Sequence, residues 1–312
     1  MLDSASKALF HLLARNRLLK TLASRVGMRR PHSFARRFVA GETTAEAIHA
    51  VRALDIRGLL YTLDHLGESV TSLAEADRAT RDYLEIIDAI VAAGVGRNIS
   101  LKLTQLGLDV DRASGIDNLR KILERSDPED FFVRIDMEGS AYTQVTLDVF
   151  ETLWQQGYRK IGVVLQAALH RTEADVRRIT ALGARIRLVK GAYTEPRSIA
   201  YRHKADVDSA YARSVKYLIT DGHYPALATH DEAIIDLAGQ WATEHGVAAN
   251  RFEFQMLYGV RRDLQARLTS SGYRVRIYVP YGRDWFPYFM RRLGERPANV
   301  SFVLHSLFNE NG

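Results

Sequence analysis

Eight short runs rich in β-branched and apolar residues recur from residue 57 onward, and longer amphipathic stretches separate most of them. The runs predicted as strands cover Leu59–Leu63, Ile99–Thr104, Phe131–Asp136, Ile161–Gln166, Ile186–Lys190, Ala226–Thr229, Phe252–Leu257 and Val275–Val279. The stretches with helical periodicity include Thr71–Ala93, Tyr142–Gln156, Thr172–Leu182, Ala200–Asp221 and Glu232–Glu244. Strands repeating about every 30–40 residues predict an α/β chain folded as one (β/α)8 barrel of the TIM type. A doubly wound parallel sheet is the alternative.

Nearly every predicted strand ends in polar or otherwise unusual residues. These ends are Asp64–His65, Thr104–Gln105, Asp136, Gln166, Lys190–Gly191, Thr229–His230, Gln255 and Tyr278. In a barrel the carboxyl ends of all strands meet at one mouth, where active sites are built. A structural protein would not need so many polar groups at that place. The pattern therefore predicts an enzyme.

The last predicted helix follows the strand Val275–Val279. Pro280 and Gly282 break that strand, and Asp284 is a suitable N-cap for a helix that ends near Arg296. The helix carries two adjacent arginines within its second half.

One face of this helix has the composition of a carboxylate-binding site. Tyr288, Arg291, Arg292 and Glu295 are spaced i, i+3, i+4 and i+7, so they share a face. Guanidinium groups bind a carboxylate in a fork, and a glutamate can hold one of them in place. The spacing alone fits a solvated, salt-bridged face equally well.

Three charged residues lie at or near the predicted mouth on other strands. Lys102 is flanked by leucines in SLKLT, and Asp136 ends the run FFVRID. Buried ammonium groups are rarely unpaired, so we predict a Lys102–Asp136 ion pair, which either takes part in chemistry or only closes the barrel. Arg187, in the run RIRLVKGAY, is placed to stabilise developing negative charge, and Gly191 in the same run permits close approach of a ligand.

Composition narrows the function classes. The chain has 0 Cys, which excludes disulfides, iron–sulfur clusters, thiolate zinc sites and Cys nucleophiles. No His pair has zincin spacing, so no metal is expected. The net charge of +6 allows an anionic partner, but no nucleic-acid-binding module is present and no apolar run approaches a membrane span.

The beginning of the chain differs from the rest. Residues 1–40 hold nine Lys and Arg against one acidic residue, Asp3, and leucines such as Leu9, Leu12 and Leu13 indicate amphipathic helices. We predict a helical arm over residues 1–50 and a catalytic barrel over residues 51–312. The basic start also has the character of an organelle transit peptide, or of a segment that contacts anionic lipid.

The run YVPYGRDWFPYFMRRLGERPANVSF, with its Tyr-x-x-Arg-Arg-x-x-Glu pattern, resembles the C-terminal segment of proline dehydrogenases. Further segments match in order from about residue 55 to residue 308. The resemblance implies an FAD-dependent (β/α)8 barrel whose last helix lies over the mouth. It also implies oxidation of L-proline to Δ1-pyrroline-5-carboxylate by hydride transfer to flavin N5, with electrons passed to a membrane quinone, as the first step of proline catabolism.

The resemblance also assigns roles to individual residues. It implies catalytic roles for Asp136 and Arg187. The residues that it implies as substrate-binding are Lys102, Leu257, Tyr278, Tyr288, Arg291, Arg292 and Glu295. Those that it implies as flavin contacts are Met137, Gln166, Arg187, Val189, Lys190, Gly191, Ala192, Thr229 and His230.

The resemblance further suggests a pyrroline-5-carboxylate dehydrogenase as a partner, a cytoplasmic location and peripheral contact with the inner face of the membrane. Two other functions are open from the residues alone. Lys102 or Lys190 could form a Schiff base, as in class I aldolase barrels. A basic barrel that binds an anionic partner without catalysis is the other.

Overall fold

Eight parallel strands pair in chain order and close on themselves, because β1 pairs with β8 as well as with β2. This computed structural model describes Met28 and residues 34–294. The strands are β1 Leu60–His65, β2 Asn98–Leu101, β3 Phe132–Ile135, β4 Ile161–Gln166, β5 Arg185–Val189, β6 Ala226–Ala228, β7 Glu253–Leu257 and β8 Arg274–Tyr281. The predicted barrel is therefore confirmed, and the doubly wound sheet is wrong.

The α-helices of the described residues run between the strands and at either end of the barrel. They are α1 Thr44–Asp55, α2 Leu73–Ala93, α3 Arg112–Ser126, α4 Ser140–Gln155, α5 Thr172–Ala181, α6 Lys204–Asp221, α7 Glu232–Glu244, α8 Arg262–Ser270 and α9 Trp285–Gly294. Short 3-10 turns cover Phe34–Arg37, Leu103–Leu106, Asp127–Glu129 and Ala249–Arg251. No described helix has both the length and the apolar character that a membrane span requires.

Two predicted boundaries are wrong for a physical reason. Strand β2 stops at Leu101 because the backbone N–H of Thr104 donates to Glu138 Oε1 (3.2 Å) and the chain turns into a 3-10 helix. Helix α6 begins at Lys204 and not at Ala200, because Ala200 forms a bridge with Leu169. That bridge joins the β5–α6 loop to the β4–α5 loop.

Apolar side chains form the layer between the strands and the surrounding helices. Ile99, Leu101, Val133 and Ile135 are fully buried in this layer. The barrel interior is polar by contrast, since Arg187 of β5 reaches across to Ser100 of β2 with Nη2 and Oγ 3.1 Å apart. A polar interior is a costly way to fill a barrel unless the side chains are paired, and it places charged groups beneath the mouth.

A second apolar cluster fixes helix α9 over the mouth. Trp285, Phe289 and Leu293 of α9 are buried against Phe38 and Leu66. An amphipathic helix of 10 residues, such as α9, owes most of its stability to such packing. With this face bound to the barrel rim, the opposite side of α9 faces the mouth.

The predicted arm over residues 1–50 lies mostly outside the described residues. Helix α1 runs through residue 50 and begins with a capping box between Thr43 and Glu46. The division between arm and barrel stays a prediction.

Candidate active site

A cavity of about 550 Å³ opens at the carboxyl ends of the strands, under α9. Side chains from β3 to β8, from Lys102 after β2, from the β5–α6 loop and from α9 line it. Tyr288, Arg291 and Arg292 are the contributions of α9. The predicted face of the last helix therefore borders a cavity and is not a solvated surface.

The floor of the cavity is an ion pair between Asp136, which follows β3, and Arg187 of β5. Arg187 Nη1 lies 2.6 Å from Asp136 Oδ1, and both side chains are almost fully buried. Burial raises the pKa of Asp136, and Arg187 and Lys102 offset part of that rise. The pair fixes the guanidinium of Arg187, a residue in the middle of β5 that lines the cavity.

Tyr278 connects this pair to a second carboxylate. Its hydroxyl lies 3.0 Å from Asp136 Oδ2 and 2.5 Å from Asp64 Oδ2. Burial, together with the two carboxylates, raises the pKa of Tyr278 well above its usual value. The phenol therefore keeps its proton and acts as a hydrogen-bond donor.

The predicted Lys102–Asp136 ion pair is wrong. Lys102 Nζ lies 3.4 Å from Asp64 Oδ1, while Asp136 is bound by Arg187. Burial alone would lower the pKa of Lys102, but the charges of Asp64 and Asp136 outweigh it and raise the pKa. Asp64 takes the position because it is fully buried on the adjacent strand, where an unpaired carboxylate would be costly.

The two arginines of α9 occupy different environments. Arg291 forms a two-pronged contact with Glu68, with Nη1–Oε1 and Nη2–Oε2 distances of 2.8 and 3.2 Å. The guanidinium of Arg292 lies over the Tyr288 ring, 5.2 Å from its centroid. The Tyr288 and Tyr278 rings are stacked with centroids 6.5 Å apart. The Arg292 guanidinium, the Tyr288 ring and the Tyr278 ring thus lie in series beside the cavity.

A second cluster of charged side chains lies near the carboxyl ends of β5 and β6. Lys190 Nζ is 2.6 Å from Asp208 Oδ1 and 2.8 Å from Asp231 Oδ2. His230 Nε2 accepts a hydrogen bond from the backbone N–H of Leu257 at 3.0 Å, which ties the end of β6 to β7. Thr229 Oγ1 accepts from the N–H of Asp231.

The cavity suits a heterocyclic cofactor. Arg187 Nε and Gln255 Oε1 are buried and have no hydrogen-bond partner within the described part of the chain. One is a donor and the other an acceptor, and both residues line the cavity. Gly191 has φ +119°, and a Cβ there would lie 3.1 Å from Ala168 Cβ, so a larger residue would crowd this wall. The residues present therefore fit a planar ring system that offers both an acceptor and a donor.

Comparison with known proteins identifies the group to which the chain is related. The proline dehydrogenase family profile matches residues 47–305. The chain belongs to the proline dehydrogenase family. The predicted resemblance is confirmed, and with it the assignment to the oxidoreductases of proline catabolism.

Full-length relatives carry the family name. The chain is 43% identical over 279 residues to proline dehydrogenase of Deinococcus radiodurans, covering 88% of this chain and 90% of that protein. It is 40% identical over 292 residues to proline dehydrogenase 2 of Bacillus subtilis (strain 168), covering 94% of each.

Solved structures of larger proteins share the fold. Proline utilization A (PutA) of Bdellovibrio bacteriovorus, inactivated by N-propargylglycine, superposes with a TM-score of 0.77 and 27% identity. The match covers 83% of this chain and 32% of that one, so the chain spans about a third of its length.

Most of the residues that the resemblance marked come together around one cavity. Those that border it are Lys102, Asp136, Met137, Gln166, Arg187, Val189, Lys190, Gly191, Ala192, Thr229, His230, Leu257, Tyr278, Tyr288, Arg291 and Arg292. Glu295 lies outside the described residues.

Three residues at the mouth escaped the sequence reasoning. Asp64 was visible only as one polar strand end among many, and Glu68 follows β1 in an ordinary loop. Tyr193 lines the cavity from the β5–α6 loop. A polar residue immediately after a buried strand was the only available signal, and it pointed to Asp64 alone.

Proposed function

We propose that the chain oxidises L-proline to Δ1-pyrroline-5-carboxylate with FAD bound in the barrel mouth. One observation carries the proposal: two adjacent guanidinium groups on α9 face a cavity whose floor is the Asp136–Arg187 pair. The two guanidinium groups suit an amino-acid carboxylate, and the floor with the Asp136–Arg187 pair suits a redox-active heterocycle. The family relation supports the same substrate.

The substrate carboxylate would bind between Arg291, Arg292 and Lys102. All three line the cavity, and an arginine pair binds a carboxylate with fixed orientation as well as charge. Fixing the carboxylate also fixes the position of the ring carbon next to the amine. Such positioning can lower a reaction barrier by several kcal/mol, and by up to about 7–11 kcal/mol in the best cases.

The pyrrolidine ring would lie against apolar and aromatic walls. Tyr278 and Tyr288 supply the stacked rings, and Leu257 of β7 supplies an aliphatic surface. These walls exclude water from the reacting carbon, which strengthens the electrostatic effect of the surrounding charges.

The flavin would be held by strands β3 to β6. Met137, Gln166, Lys190 and His230 border that part of the cavity, together with Val189, Gly191, Ala192 and Thr229. When bound, FAD supplies a two-electron acceptor for the hydride lost by the substrate. Arg187, fixed by Asp136, provides the positive charge that stabilises negative charge gained on reduction.

The amine proton requires no dedicated base within the described residues. Asp136 is engaged by Arg187 and Tyr278, and Tyr278 holds its proton tightly because burial raises its pKa. We infer that proline reacts as the free amine and that the proton is lost to solvent.

Further partners follow from the family and belong to the proposal. A membrane quinone would reoxidise the flavin at the inner face of the membrane. A pyrroline-5-carboxylate dehydrogenase would consume the product; the bifunctional protein PutA of Escherichia coli is 31% identical to this chain over 314 residues, which make up 23% of its length.

The carboxylates near Lys102 and Lys190 disfavour the Schiff-base alternative. A lysine nucleophile must lose its proton, which needs a depressed pKa. Burial would lower the pKa of Lys102 and of Lys190, but Asp64 and Asp136 in the first case, and Asp208 and Asp231 in the second, raise both. Both ammonium groups are stabilised in the charged form.

One visible spectrum tests the proposal. The purified protein should absorb near the two bands of oxidised flavin, and addition of L-proline without oxygen should bleach the longer-wavelength band. A colourless protein that neither binds added FAD nor turns over proline would refute the proposal. Borohydride trapping of a substrate on Lys102 or Lys190 would favour the Schiff-base enzyme instead.

A further inference from the structure

Gln255 presents a buried acceptor whose direction is set by the barrel interior. The residue is 4% exposed and lies in the middle of β7, two positions before Leu257. Its Nε2 donates to Glu253 Oε1 at 2.5 Å, while its Oε1 has no partner among the described residues. A buried amide oxygen without a partner is uncommon in a folded protein and calls for a ligand or a solvent molecule.

The amide cannot be turned the other way round. Glu253 accepts from Arg276 through both carboxylate oxygens, at 2.7 and 3.0 Å, and its Oε2 also accepts from the Tyr224 hydroxyl at 3.0 Å. Burial would raise the pKa of Glu253, but Arg276 lowers it overall, so the group is a carboxylate with acceptors only. A reversed amide would bring two oxygens to 2.5 Å, so Oε1 must point away from Glu253.

Away from Glu253 lies the cavity that Gln255 borders. Ala228 pairs with Gln255 in register on β6 and also borders the cavity, and its side chain is a single methyl group. Arg276 in turn donates a hydrogen bond to the carbonyl of Tyr61 at 2.8 Å. The series of hydrogen bonds from Arg276 on β8 through Glu253 to Gln255 on β7 is therefore fixed. The acceptor is therefore in place before any ligand arrives.

We propose that Gln255 binds a ring N–H of the ligand held in the barrel mouth, with Glu253 and Arg276 as its positioning residues. The inference rests on the proposed function, because the ring N–H comes either from the flavin pyrimidine or from the amine of proline. An amide oxygen suits both sources. It accepts from a neutral N–H, and it stabilises a positively charged ammonium less than a carboxylate would.

The test compares Gln255→Met with the wild-type holoenzyme. Methionine keeps the length of the side chain and removes the acceptor. Three quantities are measured: the FAD dissociation constant, KM for L-proline, and the Kd of tetrahydrofuran-2-carboxylate, the ring-oxygen counterpart of proline that has no N–H. Loss of one neutral hydrogen bond should change the affected constant about tenfold.

The pattern of change identifies the source of the N–H. If the amine is the donor, KM for proline rises about tenfold, while the Kd of the ring-oxygen compound and the FAD dissociation constant stay within twofold of wild type. If the flavin is the donor, the FAD dissociation constant rises about tenfold and the two proline-shaped ligands change equally.

Gln105→Met is the matched control. Gln105 is also a buried glutamine, but its Nε2 donates to the His65 carbonyl and its Oε1 accepts from Tyr83, so both ends are used inside the protein. It does not border the cavity. We expect it to lower the melting temperature and to leave all three ligand constants unchanged.

If Gln255→Met does not fold, Gln255→Asn serves, since it keeps the amide and withdraws the oxygen from the cavity. Ligand constants within twofold of wild type in the folded variant would overturn the inference, because solvent would then satisfy Oε1. A wild-type protein without flavin or proline-dependent reduction would instead refute the proposed function itself.

Discussion

Glu68 and Arg291 are 223 residues apart in the chain, yet their charged groups meet across the barrel mouth at 2.8 and 3.2 Å. Glu68 lies just after β1 and Arg291 lies on α9. Burial would lower the pKa of Arg291, but Glu68 raises it above its usual value, so Arg291 keeps its positive charge. The contact joins α9 to the rim and orients one of the two guanidinium groups proposed to bind substrate.

Glu68→Gln should therefore raise KM for L-proline. A hydrogen bond to a charged group contributes roughly 1.5–3 kcal/mol, so an increase of about tenfold is expected, with a smaller effect on kcat. Glu129→Gln, which alters an exposed pair with Arg97 and Arg125, is the control. A fall in KM would show the reverse, that Glu68 competes with the substrate carboxylate.

Arg291→Met and Arg292→Met should each weaken proline binding and leave the flavin in place. Truncating one partner of a buried charge pair costs about 2–5 kcal/mol, which corresponds to a large increase in KM. Arg283→Met, at an exposed position just before α9, makes the same chemical change away from the cavity. The measurements are KM from proline-dependent dye reduction and flavin content from the visible spectrum. Unchanged proline kinetics in both variants would refute the assigned role.

Arg187→Ala should change the flavin rather than the affinity for the substrate carboxylate. The guanidinium is held by Asp136 and by Ser100 and points into the cavity. Loss of its positive charge should lower the reduction potential of the bound flavin or reduce flavin retention. Ser100→Ala keeps the Asp136 contact and should have a much smaller effect. A redox titration indistinguishable from wild type would count against this role.

The barrel was predictable because its strands are coded locally. Alternation and the turn residues located all eight strands to within a few residues, and the polar strand ends indicated the mouth. The face of α9 was visible from the spacing of Tyr288, Arg291 and Arg292. Whether that face met solvent or a cavity was not, because the answer depends on where Phe38 and Leu66 pack against the helix.

Partner choice at the mouth could not be read from the sequence. Lys102 was expected to pair with Asp136, since the two lie on adjacent strands. Asp64 lies on the other neighbouring strand, and only the closed geometry of the barrel decides which carboxylate meets Arg187 and which meets Lys102. Glu68 gave no signal at all, because a loop glutamate has no periodic pattern.

The Glu253–Arg276 pair inside the barrel predicts a specific dependence of stability on pH. Burial would raise the pKa of Glu253, but Arg276 lowers it below its usual value of 4.5. A lowered folded-state pKa means that the stabilisation is present above pH 4.5 and is lost as the pH falls through the folded-state value. Glu253→Gln leaves Arg276 buried without its anion and should reduce the free energy of unfolding at pH 7 by about 3–5 kcal/mol.

Urea unfolding of the wild type and of Glu253→Gln between pH 3 and pH 7 provides the measurement. The difference in the free energy of unfolding should shrink below pH 4.5, because Glu253 then becomes protonated in the unfolded chain, whereas in the folded protein it does so only at a lower pH. Glu232→Gln is the matched control: Glu232 binds two arginines, Arg261 and Arg267, at the exposed surface, so its loss should have little effect at any pH. A difference between wild type and Glu253→Gln that stays constant down to pH 3 would mean that size or hydrogen bonding, and not the charge of Glu253, stabilises the barrel interior.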